Sequence, residues 1–125
     1  MKTTDFAIDE IYRLISGSAI ETPVYKLTKP SKKKDAEYIV LNTLPISAGV
    51  LQKCYVNVNY HVKDLSPGMA DMVTLQEGTN ALMALLEDVP AIGIIIDFEM
   101  QEYHRESQLE EHYSNIRLSV KIINT

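Results

Sequence analysis

The sequence predicts an α+β fold: two helices packed on one face of a mostly antiparallel sheet of four to five strands, in the order α-β-β-β-α-β-β. Three observations carry this. Cys54 to Val62 alternates apolar and polar residues with period two. Two stretches repeat apolar residues at helical spacing, one near the N-terminus and one after Gly68. The last third reads as two more alternating strands.

The first helix is expected from about Asp5 to Ser16. Ile8, Ile11, Tyr12 and Ile15 form its apolar face. Thr3, Thr4 or Asp5 supplies a side-chain cap, and Gly17 a left-handed stop. Pro23-Val24-Tyr25-Lys26-Leu27 reads as a brief edge strand, where proline is tolerated. The basic run Lys29-Pro30-Ser31-Lys32-Lys33-Lys34 follows. It reads as a solvated loop. The competing reading, a polyanion-binding finger or a contact with an acidic partner, is disfavoured because no aromatic residue inside the run stacks on bases.

Glu37 to Leu44 is a strand whose apolar run, Tyr38 to Leu41, suits a position covered on both faces. In the next strand Cys54, Val56, Val58, Tyr60 and Val62 share one face, and Tyr55, Asn57, Asn59 and His61 the other. One polar face is the pattern of a half-buried antiparallel strand. Ser66-Pro67-Gly68 is expected to open the second helix, about Met69 to Leu86, with Ser66 as cap. Met72, Leu75, Thr79, Leu82 and Leu86 make its core stripe, and Gly78 within it implies close packing against the sheet. Pro90 ends that region. The next strand is expected over about Ile92 to Tyr103, with Ile92, Ile94, Ile96, Phe98 and Met100 on one face. A charged connection, His104 to His112, then leads to a last strand, about Tyr113 to Ile123, with Ile116, Leu118, Val120 and Ile122 inward. Consecutive strands are expected to pair antiparallel. Asn57, Asn59, Asp97, Glu99, Arg117 and Lys121 are expected on the polar sheet face.

At 125 residues the chain is one domain, 1–125, large enough to bury roughly two-thirds of its unfolded surface without cross-links. Its single cysteine, Cys54, excludes an intramolecular disulfide and fits a reducing compartment. No apolar run reaches the ~18 residues of a membrane-spanning helix. The start, Met-Lys-Thr-Thr-Asp, lacks the apolar core of a signal peptide and reads as cytosolic. A net charge of −5 argues against a protein that works by neutralising phosphates.

The residues present offer no catalytic constellation, cofactor site or metal site. His104 and His112 match no metal-binding spacing and read as part of a solvated hairpin tip. Cys54 and His61 lie on opposite faces of one strand and form no dyad. Asp97 and Glu99 share a face and are expected to pair with Arg117 or Lys121.

In order along the chain stand Ile11-Tyr12-Arg13-Leu14-Ile15, Pro23-Val24-Tyr25, Glu37-Tyr38-Ile39-Val40-Leu41 and Val56-Asn57-Val58-Asn59-Tyr60, then the long helix and two closing strands. This series resembles the phage tail-completion and tail-terminator proteins over nearly the whole length. Glu37 stands where that family often has proline before Tyr-Val-Val. The resemblance implies a non-enzymatic structural subunit of a virion tail, assembled in the host cytoplasm. It implies a ring of copies, commonly a hexamer, capping the tail tube and meeting the head connector. The expected partners are the chain itself, tail-tube and head-connector proteins, with no specific nucleic acid and no membrane. The candidate assembly surface is Lys32, Lys33, Lys34, Asn57, Asn59, His61, Glu110 and Glu111, with the basic loop of one copy meeting the acidic hairpin of the next. The alternative is an adaptor that adds a partner peptide to an open sheet edge.

Overall fold

The computed structural model describes residues 1–87, 89 and 93–124. In chain order the elements are α1 (Thr4–Ser16), β1 (Val24–Lys26), β2 (Glu37–Thr43), β3 (Leu51–Lys63), α2 (Met72–Glu87), β4 (Ile94–Glu106), a 3-10 turn (Ser107–Leu109) and β5 (Glu111–Ile123). Among the described residues the strands form one mixed sheet in the order β1-β2-β3-β5-β4. The predicted class and element order hold. Pro90 and Ile92, the expected break and strand start, lie outside the described residues.

Both helices lie against one face of the sheet. Ile8, Ile11 and Ile15 of α1 and Leu75, Leu82 and Leu86 of α2 close over Ile39, Leu41, Val56, Val58, Ile116, Leu118 and Val120. Each fully buried aliphatic side chain of this kind stabilises the fold by about 1.5–3 kcal/mol. α2 carries the chain from β3 across to β4, and β5 then inserts between those two strands, antiparallel to both.

Several expectations are corrected. β1 and β2 pair in parallel, with Val24 opposite Ile39 and Lys26 opposite Leu41. The connecting loop, residues 27–36, is long enough to return the chain to the end of the sheet from which β1 started. Thr3 caps α1 through its carbonyl, which accepts the Phe6 N–H at 3.1 Å, and no side chain caps it. Gly17 closes α1 at φ −85°, outside the left-handed region.

α2 begins later than predicted. Ser66 to Met69 instead form a tight turn, with the Met69 N–H bonded to the Ser66 carbonyl and Gly68 at φ +79°. The cap is Asp71, whose carboxylate accepts the Thr74 N–H at 3.2 Å and the Thr74 hydroxyl at 2.8 Å. Met72, expected in the core stripe, is exposed.

The long strand β4 does not keep one alternation. Phe98 pairs with Leu118, but Met100 pairs with Arg117, leaving Glu99 in a bulge. One inserted residue exchanges the two faces beyond it. Met100 therefore joins the polar face, and Gln101 turns toward the helices, donating to the Ser114 hydroxyl at 2.9 Å. Asp97 and Glu99 do not share a simple alternating face. Among the described residues neither forms an ion pair with Arg117 or Lys121.

A buried polar residue on the helix side was also not anticipated. Gln52 is fully buried on the helix side. Its amide bonds Lys2 N (2.7 Å), the Lys2 and Ser47 carbonyls (2.9 Å each) and the Asn124 side chain (2.7 Å). It ties both ends of the chain to the core.

Candidate functional site

The sheet face without helices carries two rows of polar side chains, set side by side by strand register. The first row begins with Tyr38 of β2, opposite His61 of β3, which lies opposite Tyr113 of β5, which lies opposite His104 of β4. Successive rings stack with centroids 4.6, 4.7 and 5.1 Å apart and interplanar angles of 5°, 24° and 23°. Tyr25 of β1 meets the edge of Tyr38 at 6.4 Å. Lys29 holds its ammonium 4.4 Å from the Tyr38 ring centroid, a cation–π distance.

The second row is amide-rich. The Asn115 amide donates to the side-chain oxygens of Asn59 (2.7 Å) and Asn57 (3.2 Å). Arg117 Nε donates to the same Asn57 oxygen at 3.0 Å, and Asn57 Nδ2 donates to Asn42 at 2.8 Å. Asn57, Asn59 and Asn115 are buried even though no helix covers this face. Satisfied amides tolerate such burial.

At the end of the first row Tyr38 donates its hydroxyl to Glu111 Oε1 at 2.6 Å. His61 Nδ1 is 3.3 Å from the same oxygen, buried and without a hydrogen-bond partner. Burial, reinforced by the bond to Glu111, pushes the Tyr38 hydroxyl well up. Burial also raises the Glu111 carboxyl, against the opposing effects of the Tyr38 bond and the Lys29 charge. His61 is pushed down to about 4, first by burial; Glu106 opposes that shift and Lys29 adds to it.

These shifts predict a specific acid response. Unfolded, His61 titrates near 6.5; folded, near 4. Between those values the unfolded chain binds more protons, so stability falls as the pH drops. Glu111 acts in the opposite sense. Its contribution is full below its unfolded value of 4.5 and is lost as pH rises through its raised folded value. His61→Gln is expected to remove a loss on the order of 2–3 kcal/mol over that pH range, measured by urea unfolding at each pH. An unchanged slope would contradict the assignment.

His112 is not at a solvated tip. It faces the helix side, with Nδ1 2.6 Å from Oδ1 of the buried Asp64. His104 sits within β4, 2.8 Å from Glu102. Of the segment read as a charged connection, residues 104–106 and 111–112 are strand, and the tip between them is the 3-10 turn and Glu110. Among the described residues no three His, Cys, Asp or Glu side chains converge as a metal site requires. Cys54 is buried on the helix side and its thiol is pushed up by burial.

The predicted assembly residues are placed as follows. Lys32, Lys33 and Lys34 are exposed on the 27–36 loop, and Glu110 is exposed at φ 52°. Glu111 is buried, and Asn57, Asn59 and His61 are engaged in the two rows. The basic loop and the hairpin tip lie at the same end of one chain, where Lys33, Lys34, Leu109 and Glu111 line one hollow. Lys29, Tyr38, Tyr113 and Asn115 were missed as site residues. Alternation alone places Tyr38 and Tyr113 on this face, but only strand register sets them against His61.

In comparisons with known families and curated proteins, no family model and no curated relative matches the chain.

Proposed function

We propose that the chain is a non-enzymatic structural subunit of a phage or prophage tail, of the tail-terminator kind, that joins copies of itself into a ring through the free edge of β4. One observation carries the association: β4 is thirteen residues long and, among the described residues, ends the sheet with no strand beyond it. Its outer N–H and C=O groups are available to an added segment. Ile95, Phe98 and Tyr103 along it are exposed. The opposite edge, β1, has only three residues.

Charge favours a ring over a symmetric dimer. β4 carries Asp97, Glu99, Glu102 and Glu106 against one arginine, Arg105. Two such edges side by side bring like charges together. A head-to-tail contact, in which β4 meets a different element of the next copy, avoids this and gives a ring where its rotation closes.

Light scattering at high protein concentration is expected to give a mass several times that of the chain. Phe98→Lys on the exposed edge is expected to return it to monomer with its thermal midpoint little changed. A monomer at all concentrations, or an assembly indifferent to the edge substitution, contradicts the proposal. The tail assignment is tested by gene neighbourhood: tail-tube and tape-measure genes are expected downstream, and a neighbourhood without virion genes opposes it. The same free edge also suits an adaptor that accepts a partner's extended peptide. Capture of such a peptide by a strictly monomeric chain favours that second reading.

A further inference from the structure

Two adjoining hollows lie beneath the 27–36 loop and share Lys29, Ser31 and Leu109. The first, about 390 Å³, is apolar: Leu27, Val40 and Leu109 form its walls, and the Tyr38 and His61 rings line it. The second, about 360 Å³, is cationic, with Lys29, Lys33, Lys34 and Lys63 around it.

The charge in the second hollow is only partly compensated. Asp35 and Glu111 also line it, each accepting a tyrosine hydroxyl, from Tyr25 at 2.6 Å and from Tyr38 at 2.6 Å, so two carboxylates stand against four ammonium groups. Among the described residues none of the four lysines lies within 4.0 Å of a carboxylate. Yet the whole chain carries a net charge of −5, with seventeen acidic residues against twelve lysines and arginines. Four ammonium groups that outnumber the carboxylates beside them form a local field that attracts anions. The neighbouring hollow offers apolar walls and ring surface, the usual lining of a small-molecule site.

We propose that this cleft binds a small amphiphilic anion. An aliphatic or aromatic body occupies the hollow walled by Leu27, Val40 and Leu109, and a phosphate or carboxylate head sits among Lys29, Lys33, Lys34 and Lys63. The head replaces the missing counter-charge, and the body covers apolar surface that is otherwise wet. The proposal does not depend on self-association, since every residue it uses belongs to one copy.

Titration calorimetry with phenyl phosphate, benzoate, inorganic phosphate and phenol tests it on the full chain. Phenyl phosphate or benzoate is expected to bind saturably, at least about tenfold more tightly than either phosphate or phenol alone, and more weakly as salt rises. The double substitution K33E/K34E is expected to weaken binding by about tenfold or more, and so is Leu109→Asp at the apolar end. These positions are exposed, so both variants should unfold at the wild-type temperature, which circular dichroism checks. In wild type the ring proton resonances of Tyr38 and His61 should move on saturation. Failure of both amphiphilic anions to bind overturns the proposal. So does equal affinity for inorganic phosphate, or binding indifferent to the lysine reversals.

Discussion

Gly78→Ala is expected to destabilise the protein by about 1–3 kcal/mol, although alanine is the better helix former by about 1 kcal/mol. A Cβ at position 78 would fall 2.2 Å from Tyr60 Cε2 and 2.3 Å from Cζ. The ring cannot easily retreat. It is almost fully buried, and its hydroxyl donates to Glu37 at 3.2 Å. Burial and the Glu37 charge push that hydroxyl's pKa well up, so it stays a donor. Overpacking therefore outweighs propensity, and the melting temperature should drop by about 5–10 °C. The cause is separable. In a Tyr60→Ala background the same glycine substitution should become neutral or stabilising, because the obstacle is gone and only propensity remains. Urea unfolding of the four chains measures this, and equal losses in both backgrounds would contradict the packing account.

Asn115→Asp is expected to cost about 3–5 kcal/mol, more than the roughly 1–3 kcal/mol of Asn115→Ala. The argument rests on which atoms can donate. Arg117 has no acceptor, so its bond to Asn57 fixes oxygen on that side of the amide. Asn115 must then present its NH2 group to Asn57, and it does so to Asn59 as well. Aspartate has nearly the same shape but brings a buried acceptor charge against two acceptor oxygens. Alanine leaves the Asn59 oxygen without Asn115 as a donor, a smaller penalty. Chemical denaturation of the two variants decides the matter, and an aspartate chain as stable as the alanine one would show that the network is oriented otherwise.

The helix-side core was legible because its signal is local. Alternation in Cys54 to Val62 placed five residues inward, and all five are buried. Helical spacing found Ile8, Ile11, Ile15, Leu75, Leu82 and Leu86 in the same way. The close approach at Gly78 was legible too, since glycine in a helix interior needs a packing reason. What escaped depended on pairing between distant segments. Register sets Tyr38, His61, Tyr113 and His104 in one row, and neither composition nor period contains it. The bulge at Glu99 was invisible because its neighbours continue a plausible alternation. Asp71 took the cap from Ser66 because both residue types cap well, and the turn at Gly68 decided between them. The polar face was read correctly as polar but not as buried. A row of mutually bonded amides loses its solvent without any covering layer.

Hydrogen exchange of the backbone amides in β4, read by NMR at low and high protein concentration, decides whether copies join through this edge. If copies join through this edge, the β4 N–H groups that point away from β5 should exchange more slowly at high concentration, while β1 amides change little. Exchange along β4 that is fast and independent of concentration would contradict the account.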